Sequence, residues 1–153
     1  MTDRGSLVRR LEQHRLWAAS IGRSGAQLSA VDLDLSGLDL SGQDLNGIEV
    51  PGGQFKGTTL ARADLSYSNL ASADLAGVDL TGAQLVKANL DYADLSRARL
   101  AGANLRRASL FQAKLTGAVL DGADLRGAYL EGADLSGASL AGAGLDGSPR
   151  RPP

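Results

Sequence analysis

Few residues of this sequence could do chemistry. There is no cysteine, so a disulfide and a thiolate metal site are both excluded. The one histidine, His14, cannot form a His-based cluster. Carboxylates are plentiful but periodic: Asp34, Asp39, Asp44, Asp64, Asp74, Asp79, Asp94, Asp124 and Asp134 each stand immediately before a leucine. Acid–base catalysis or a cation site needs carboxylates that converge on one point. Carboxylates that recur with the chain are spread over its faces, and their period marks them as structural. No P-loop, no GxGxxG before a helix and no GxSxG is present. The sequence therefore assigns no catalytic, cofactor or metal residue, and the chain reads as a non-enzyme. Its function is then display: a rigid surface that another macromolecule reads.

Composition agrees with that frame. The chain has 153 residues, enough for one domain, with 16 Lys and Arg against 17 Asp and Glu. A net charge of −1 implies neither a nucleic-acid binder nor a strongly acidic decoy, and direct nucleic-acid binding is not expected. The first 20 residues include Arg4, Arg9, Arg10, Glu12 and Arg15 and no long apolar run, so neither a signal peptide nor a membrane span is expected. The expectation is a cytoplasmic protein without membrane contact. Gly numbers 20 while aromatics are only 4% of residues, so leucine and alanine must fill the core.

They do so in register. From 35 to 145 every fifth residue is Leu, except Val50 and Phe55, which makes 21 leucines in 23 consecutive positions. Two residues before each stands a small side chain, Ala thirteen times running from Ala83 to Ala143. Two residues after it stands Gly at 15 of the 23 positions. The unit is A-(D/N)-L-(S/T/R)-G. On an α-helix a period of five would move the leucines by about 140° each time, so no apolar stripe forms. A plain strand needs a period of two. Five fits a short strand plus a corner: Leu and the Ala two before it point the same way, and Gly takes the turn. Four such sides close a square coil of about 20 residues, stacked at the usual strand spacing of about 4.8 Å.

The repeat resembles the pentapeptide-repeat family, whose consensus is A(D/N)LXX, over about residues 28 to 147. That resemblance implies an all-β fold, a right-handed quadrilateral β-helix of about six coils and roughly 28 Å in length. Residues 1–25 read as an N-terminal cap helix and linker, 26–147 as the β-helix, and 148–153 as a Pro/Arg tail expected to be disordered. Around 28–40 the register looks double: Leu28 and Leu33 fit one frame, Leu35 and Leu40 another. The first coil is placed to start between 26 and 33. At 51–59, Pro51 removes a ladder donor and Gly53 empties the Ala position, which Phe55 would fill.

A β-helix exposes backbone at both ends, and such edges need cover. At the N-terminal side Ser6 would cap a helix running to about Ser20, with Leu7, Leu11, Trp17 and Ile21 on the face toward the coil, and His14 at its edge. At the C-terminal side prolines after Leu145 forbid a helix or strand. Leu140 and Leu145 would then form an open edge, and a homodimer through the C-terminal end would hide it.

Residues 20 apart stack, which assigns outward residues to sides. One side carries Lys87, Arg106, Arg107 and Arg126, a candidate anion-binding cluster in which like charges stack. The next carries Glu49, Asp91 and Glu131, no base, and Tyr92, Phe111 and Tyr129. Asp91, Tyr92, Phe111, Tyr129 and Glu131 thus form a candidate protein-binding face. Three readings of function stay open. The first is a rigid scaffold that binds another protein. The resemblance implies a second, a mimic of duplex DNA that modulates DNA gyrase or topoisomerase IV and gives quinolone-type protection. Against it, only one side is distinctly acidic, and the family's C-terminal dimer helix and projecting loops have no counterpart here. The third is an accessory or immunity factor of a biosynthetic or toxin cluster.

Overall fold

A computed structural model describes residues 4–145. It contains one helix, α1 (Arg4–Ala19), followed by a coil in which every side contributes a single parallel bridge to the side one turn later. The bridges run from Ser29↔Glu49 to Asp124↔Gly144, always between residues 20 apart. Four five-residue sides therefore make each turn, and nearly six turns are stacked.

Each side ends because the chain adopts a left-handed residue. Positive φ recurs every five residues from Gly37 to Gly142, whether or not the residue is glycine. Arg62, Tyr67, Ser72, Lys87, Tyr92, Arg97, Arg107 and Gln112 take the same conformation, with φ from 52° to 60°. This is the third residue of a type II turn. The turn closes by a bond from the N–H after that residue to the preceding leucine carbonyl, as in Ala63 N–H to Leu60 O at 3.0 Å.

The backbone donors of a repeat are then fully used. Around Asp64 three of them bridge coils: Asp64 N–H donates back to Gln43 O, Leu65 N–H forward to Gln84 O, and Tyr67 N–H forward to Val86 O. Ser68 N–H closes the turn on Leu65 O. The fifth, Ser66 N–H, has no backbone partner and donates to Oδ1 of Asp64 at 2.9 Å. The same bond recurs at Asp34, Asp39, Asp44, Asn69, Asp74, Asp79, Asn89, Asp94, Asn104, Asp124 and Asp134. Asp and Asn precede leucine because their short side chains close an Asx turn on the corner amide.

Inside, the leucine and alanine columns leave no exposed surface through the middle coils. Each buried leucine contributes on the order of 2 kcal/mol. Phe55 is fully buried, and a Cβ added to Gly53 would lie 3.0 Å from the Phe55 ring. The ring thus lies in the space that alanine occupies elsewhere.

Several expectations at the N-terminal side are overturned. The apparent double register at 28–40 is one frame. Leu33 and Leu35 flank the bridging Asp34 and both point inward, so Leu28, Leu33 and Leu38 occupy the position that later coils give to alanine. The first coil is wider-filled because only a helix, not another coil, closes it. The helix also begins earlier than expected: Ser6 is already its third residue, so it is not the cap. Ile21 is 90% exposed and takes no part in the cap, because the chain leaves α1 through a left-handed residue there, φ 54°, which turns the side chain to solvent.

α1 is held by docking more than by its own periodicity. Leu7 and His14 are buried, Leu11 packs on the core, and Trp17 is half-buried with its ring against Gly47. Arg10 donates to Ser29 O, and Gln27 Nε2 donates to Gly47 O at 2.7 Å. Gly25 permits the return: a Cβ there would lie 2.2 Å from Gln13 O, where Ala26 N–H bonds the same carbonyl. His14 is central rather than peripheral. It is fully buried, stacked on Trp17 at 5.5 Å, and its Nδ1 accepts the Leu28 N–H at 3.0 Å. Nε2 is buried without a hydrogen-bond partner among the described residues.

At the other end Leu140 is half-buried and Leu145 is 44% exposed. The Pro/Arg segment expected over 148–153 lies outside the described residues.

Two outcomes follow. Burial holds the His14 pKa below 6.5, against the opposing pull of the Leu45 carbonyl and the Asp44 charge. A lowered folded pKa in a base means that docking is at full strength above pH about 6.5 and weakens as pH falls through that value toward the folded pKa. Fluorescence of Trp17, the one tryptophan, should therefore change on acidification, and His14→Leu should flatten the change. The same transition in His14→Leu would assign it to other groups. Separately, Gly53→Ala should cost roughly 1–3 kcal/mol by overpacking against Phe55. The pair Gly53→Ala/Phe55→Leu, which restores the common repeat, should cost less than the sum of its single variants in urea unfolding.

Candidate functional site

Three positions of every repeat face outward: the bridging residue and the two corner residues that follow the leucine. Since coils stack with a 20-residue offset, each side of the rod is a grid whose rows are coils. Two areas of that grid carry the residues singled out from the sequence.

The first is the side of residues 89–92, 109–112 and 129–132. It brings Tyr92, Phe111 and Tyr129 into contact although they occupy three different positions of the repeat. Tyr92 is at the left-handed corner, Phe111 is the residue before that corner, and Tyr129 is the bridging residue. The rings run diagonally over three coils. Tyr92 and Phe111 meet edge to face at 5.4 Å, and Phe111 stacks on Tyr129 at 5.9 Å. Such contacts add about 0.5–1.5 kcal/mol each beyond burial. Tyr92 is 54% exposed, and the other two rings are half-buried.

The two carboxylates of this side fasten the rings. Asp91 Oδ1 accepts the Ser109 hydroxyl and the Phe111 N–H, the latter at 3.1 Å. Glu131 accepts the Tyr129 hydroxyl at 2.7 Å. The bond to Asp91 replaces the missing Asx turn, since Ser109 stands where Asp or Asn usually does. Asp121 does the same for Ser139 and the Ala141 N–H. Sequence reading missed this device. Its signal is a polar pair 18 residues apart, two short of the coil length.

The second area holds Lys87, Arg106, Arg107 and Arg126, of which Arg106 and Arg126 share one carboxylate and Lys87 turns to a ring. Arg126 makes two bonds to Asp124, from Nε at 2.8 Å and Nη2 at 2.6 Å. Arg106 Nε lies 3.9 Å from the same carboxylate. Lys87 Nζ sits over the Tyr67 ring, 5.3 Å from its centroid, a cation–π pair that sequence reading also missed. Arg107 lays its stem along Gly127, where a Cβ would lie 3.2 Å from its Cγ. The like-charge ladder expected there is thus broken up by Asp124 and Tyr67. Elsewhere opposite charges pair across coils, Asp79 with Arg99 and Asp94 with Lys114, in exposed contacts that add little stability.

Among the described residues no cluster of three or more His, Cys, Asp or Glu could hold a metal ion. No described helix is long and apolar enough to cross a membrane. A cleft of about 260 Å³ lies between α1 and the first coil, lined by Ser6, Arg9, Arg10, Gln13, Gln27 and Leu28 among others.

The Arg126 bonds hold the Asp124 carboxyl down at about 2, from an ordinary value of 3.8. A depressed acid contributes stability above its ordinary pKa and loses it as pH falls through the folded value, so this contribution vanishes between pH 3.8 and about 2. Asp124→Asn should flatten that part of the acid limb while keeping the corner bond. It should also retain the protein longer on an anionic resin than Asp134→Asn does, although both add the same net charge. Equal retention would mean that the Arg106 and Arg126 pair does not act as a local anion site.

No curated protein matches the sequence. The family model for pentapeptide repeats matches residues 54–91, 88–127 and 118–148, with 8 copies in all. Among solved structures, the chain is similar to Rfr23, a pentapeptide repeat protein of the cyanobacterium Cyanothece 51142. The two are 32% identical over 90% of this chain and 97% of that one, with a TM-score of 0.64. It is also similar to QnrB1, a plasmid-mediated fluoroquinolone resistance protein, at 26% identity and a TM-score of 0.53. That match covers 76% of this chain and 62% of QnrB1. With the family model matching more than half of it and the Rfr23 match spanning most of its length, the chain belongs to the pentapeptide-repeat family.

Proposed function

We propose that the chain is a non-enzymatic scaffold that binds another protein through the side carrying Asp91, Tyr92, Phe111, Tyr129 and Glu131. One observation carries this reading: three aromatic rings from three coils meet on a side whose neighbours are small and polar. The repeat alone gives no reason for it, because stacking aligns equal positions and these rings occupy unequal ones. Interfaces are enriched in such aromatic groups, and a preset surface loses little freedom on binding.

The test replaces each ring with a residue from its own column: Tyr92→Ser after Ser72, Phe111→Ala after Ala71, Tyr129→Ser after Ser109. These changes suit the backbone, since Ser72 already adopts φ 57°. Wild type should capture a partner that the triple variant fails to capture at equal thermal stability. Identical partners for both proteins would remove this side from the function.

A second reading, modulation of DNA gyrase or topoisomerase IV by DNA mimicry, is supported by the likeness to QnrB1. In a gyrase supercoiling assay with and without ciprofloxacin, it requires inhibition or protection at micromolar protein. The absence of both effects would dismiss it.

A further inference from the structure

Two tyrosines of this chain occupy the left-handed corner, Tyr67 and Tyr92, each at φ 60° and each more than half exposed. In backbone terms they are equivalent. One coil above Tyr67 stands Lys87, and its ammonium lies 5.3 Å from the ring centroid. One coil above Tyr92 stands Gln112, at a matching corner with φ 52°. The fold thus fills one tyrosine with a cation and gives the other a neutral amide.

The surroundings of Tyr92 carry the charge that such a cation would need. Along its side, the outward positions between 29 and 132 include Asp32, Glu49, Asp91 and Glu131 and no Lys or Arg. The neighbouring bases are off this side: Lys87 and Arg107 stand at its opposite corner, Lys87 engaged by Tyr67, and Lys114 lies just past the Gln112 corner, paired with Asp94 at 3.7 Å. Phe111, fixed through its N–H to Asp91, holds the Tyr92 ring edge to face. A ring in the left-handed region costs roughly 1 kcal/mol that glycine would avoid, so Tyr92 sits there against its own backbone preference.

We propose that this side takes an arginine-bearing segment of a partner protein, with a guanidinium laid against Tyr92 and Phe111 and balanced by the carboxylates around them. Arginine fits better than lysine because its planar group stacks on rings and pairs with carboxylates at once. The proposal rests on the scaffold reading and adds to it the chemistry of the partner.

The probe is a short capped fluorescent peptide with arginine at alternate positions, compared with its citrulline and lysine versions. Anisotropy is read against the full chain at low and at physiological salt. The arginine peptide should bind at least about tenfold more tightly than the citrulline one, with lysine between. Tyr92→Ser/Phe111→Ala should weaken it by a similar factor. The decisive variant is Gln112→Lys, which places over Tyr92 the cation that Lys87 places over Tyr67. It should suppress peptide binding while thermal unfolding stays at the wild-type midpoint. Equal affinity for arginine and citrulline peptides, or undiminished binding by Gln112→Lys, overturns the proposal. If the three-ring variant loses its protein partner yet no arginine peptide binds wild type, the scaffold reading stands and the arginine proposal falls.

Discussion

Every side of this coil must change direction after five residues, and the backbone does so through one residue of positive φ. That constraint organises the rest. With the corner fixed, only two side chains per repeat can point inward, the leucine and the small residue two before it. The corner also strips one amide of a backbone partner, and the Asp or Asn before leucine exists to receive it. Consensus residues that look like separate preferences, Ala, Asp or Asn, Leu and Gly, are thus answers to a single turn.

The same turn decides where side chains can be displayed. Glycine satisfies the corner without strain but shows nothing to solvent. A non-glycine corner costs something and projects a side chain from the edge of the rod. This chain makes that substitution in short runs through its middle coils, at 62–72, 87–97 and 107–112, with arginine, tyrosine, lysine, serine and glutamine. The aromatic diagonal and the Tyr67–Lys87 pair both depend on such corners. Display is concentrated where the backbone is least comfortable, which separates these positions from those that merely complete the fold.

Much of this was legible in the sequence, and the reasons differ by residue. The leucine and alanine columns showed through their period, and the stacking of residues 20 apart followed from it. The grid then put Tyr92, Phe111 and Tyr129 on one side. Their mutual contact was not legible, because it crosses the period diagonally. Leu28 and Leu33 misled because the pattern offers two inward positions, and a leucine in the alanine slot imitates a shifted frame. Ile21 was assigned by helical spacing, yet the chain had already left the helix. His14 read as a cap edge because a lone histidine carries no pattern. Its burial is set by the meeting of α1 with the first coil, which no local signal encodes. Arg106 and Arg126 looked like stacked like charges because the 20-residue offset pairs them with each other and does not show that Asp124 reaches both.

The coil-to-coil hydrogen bonds run along the axis of the rod, not across it, and each coil touches only its neighbours. A pull on the two ends loads them along their length, one layer after another, so the rod should yield to tension by shedding coils singly. A push from the side meets all layers together, together with the packed leucine column. The molecule is therefore a directional material: stiff as a beam, weak as a rope, and suited to holding things apart rather than together.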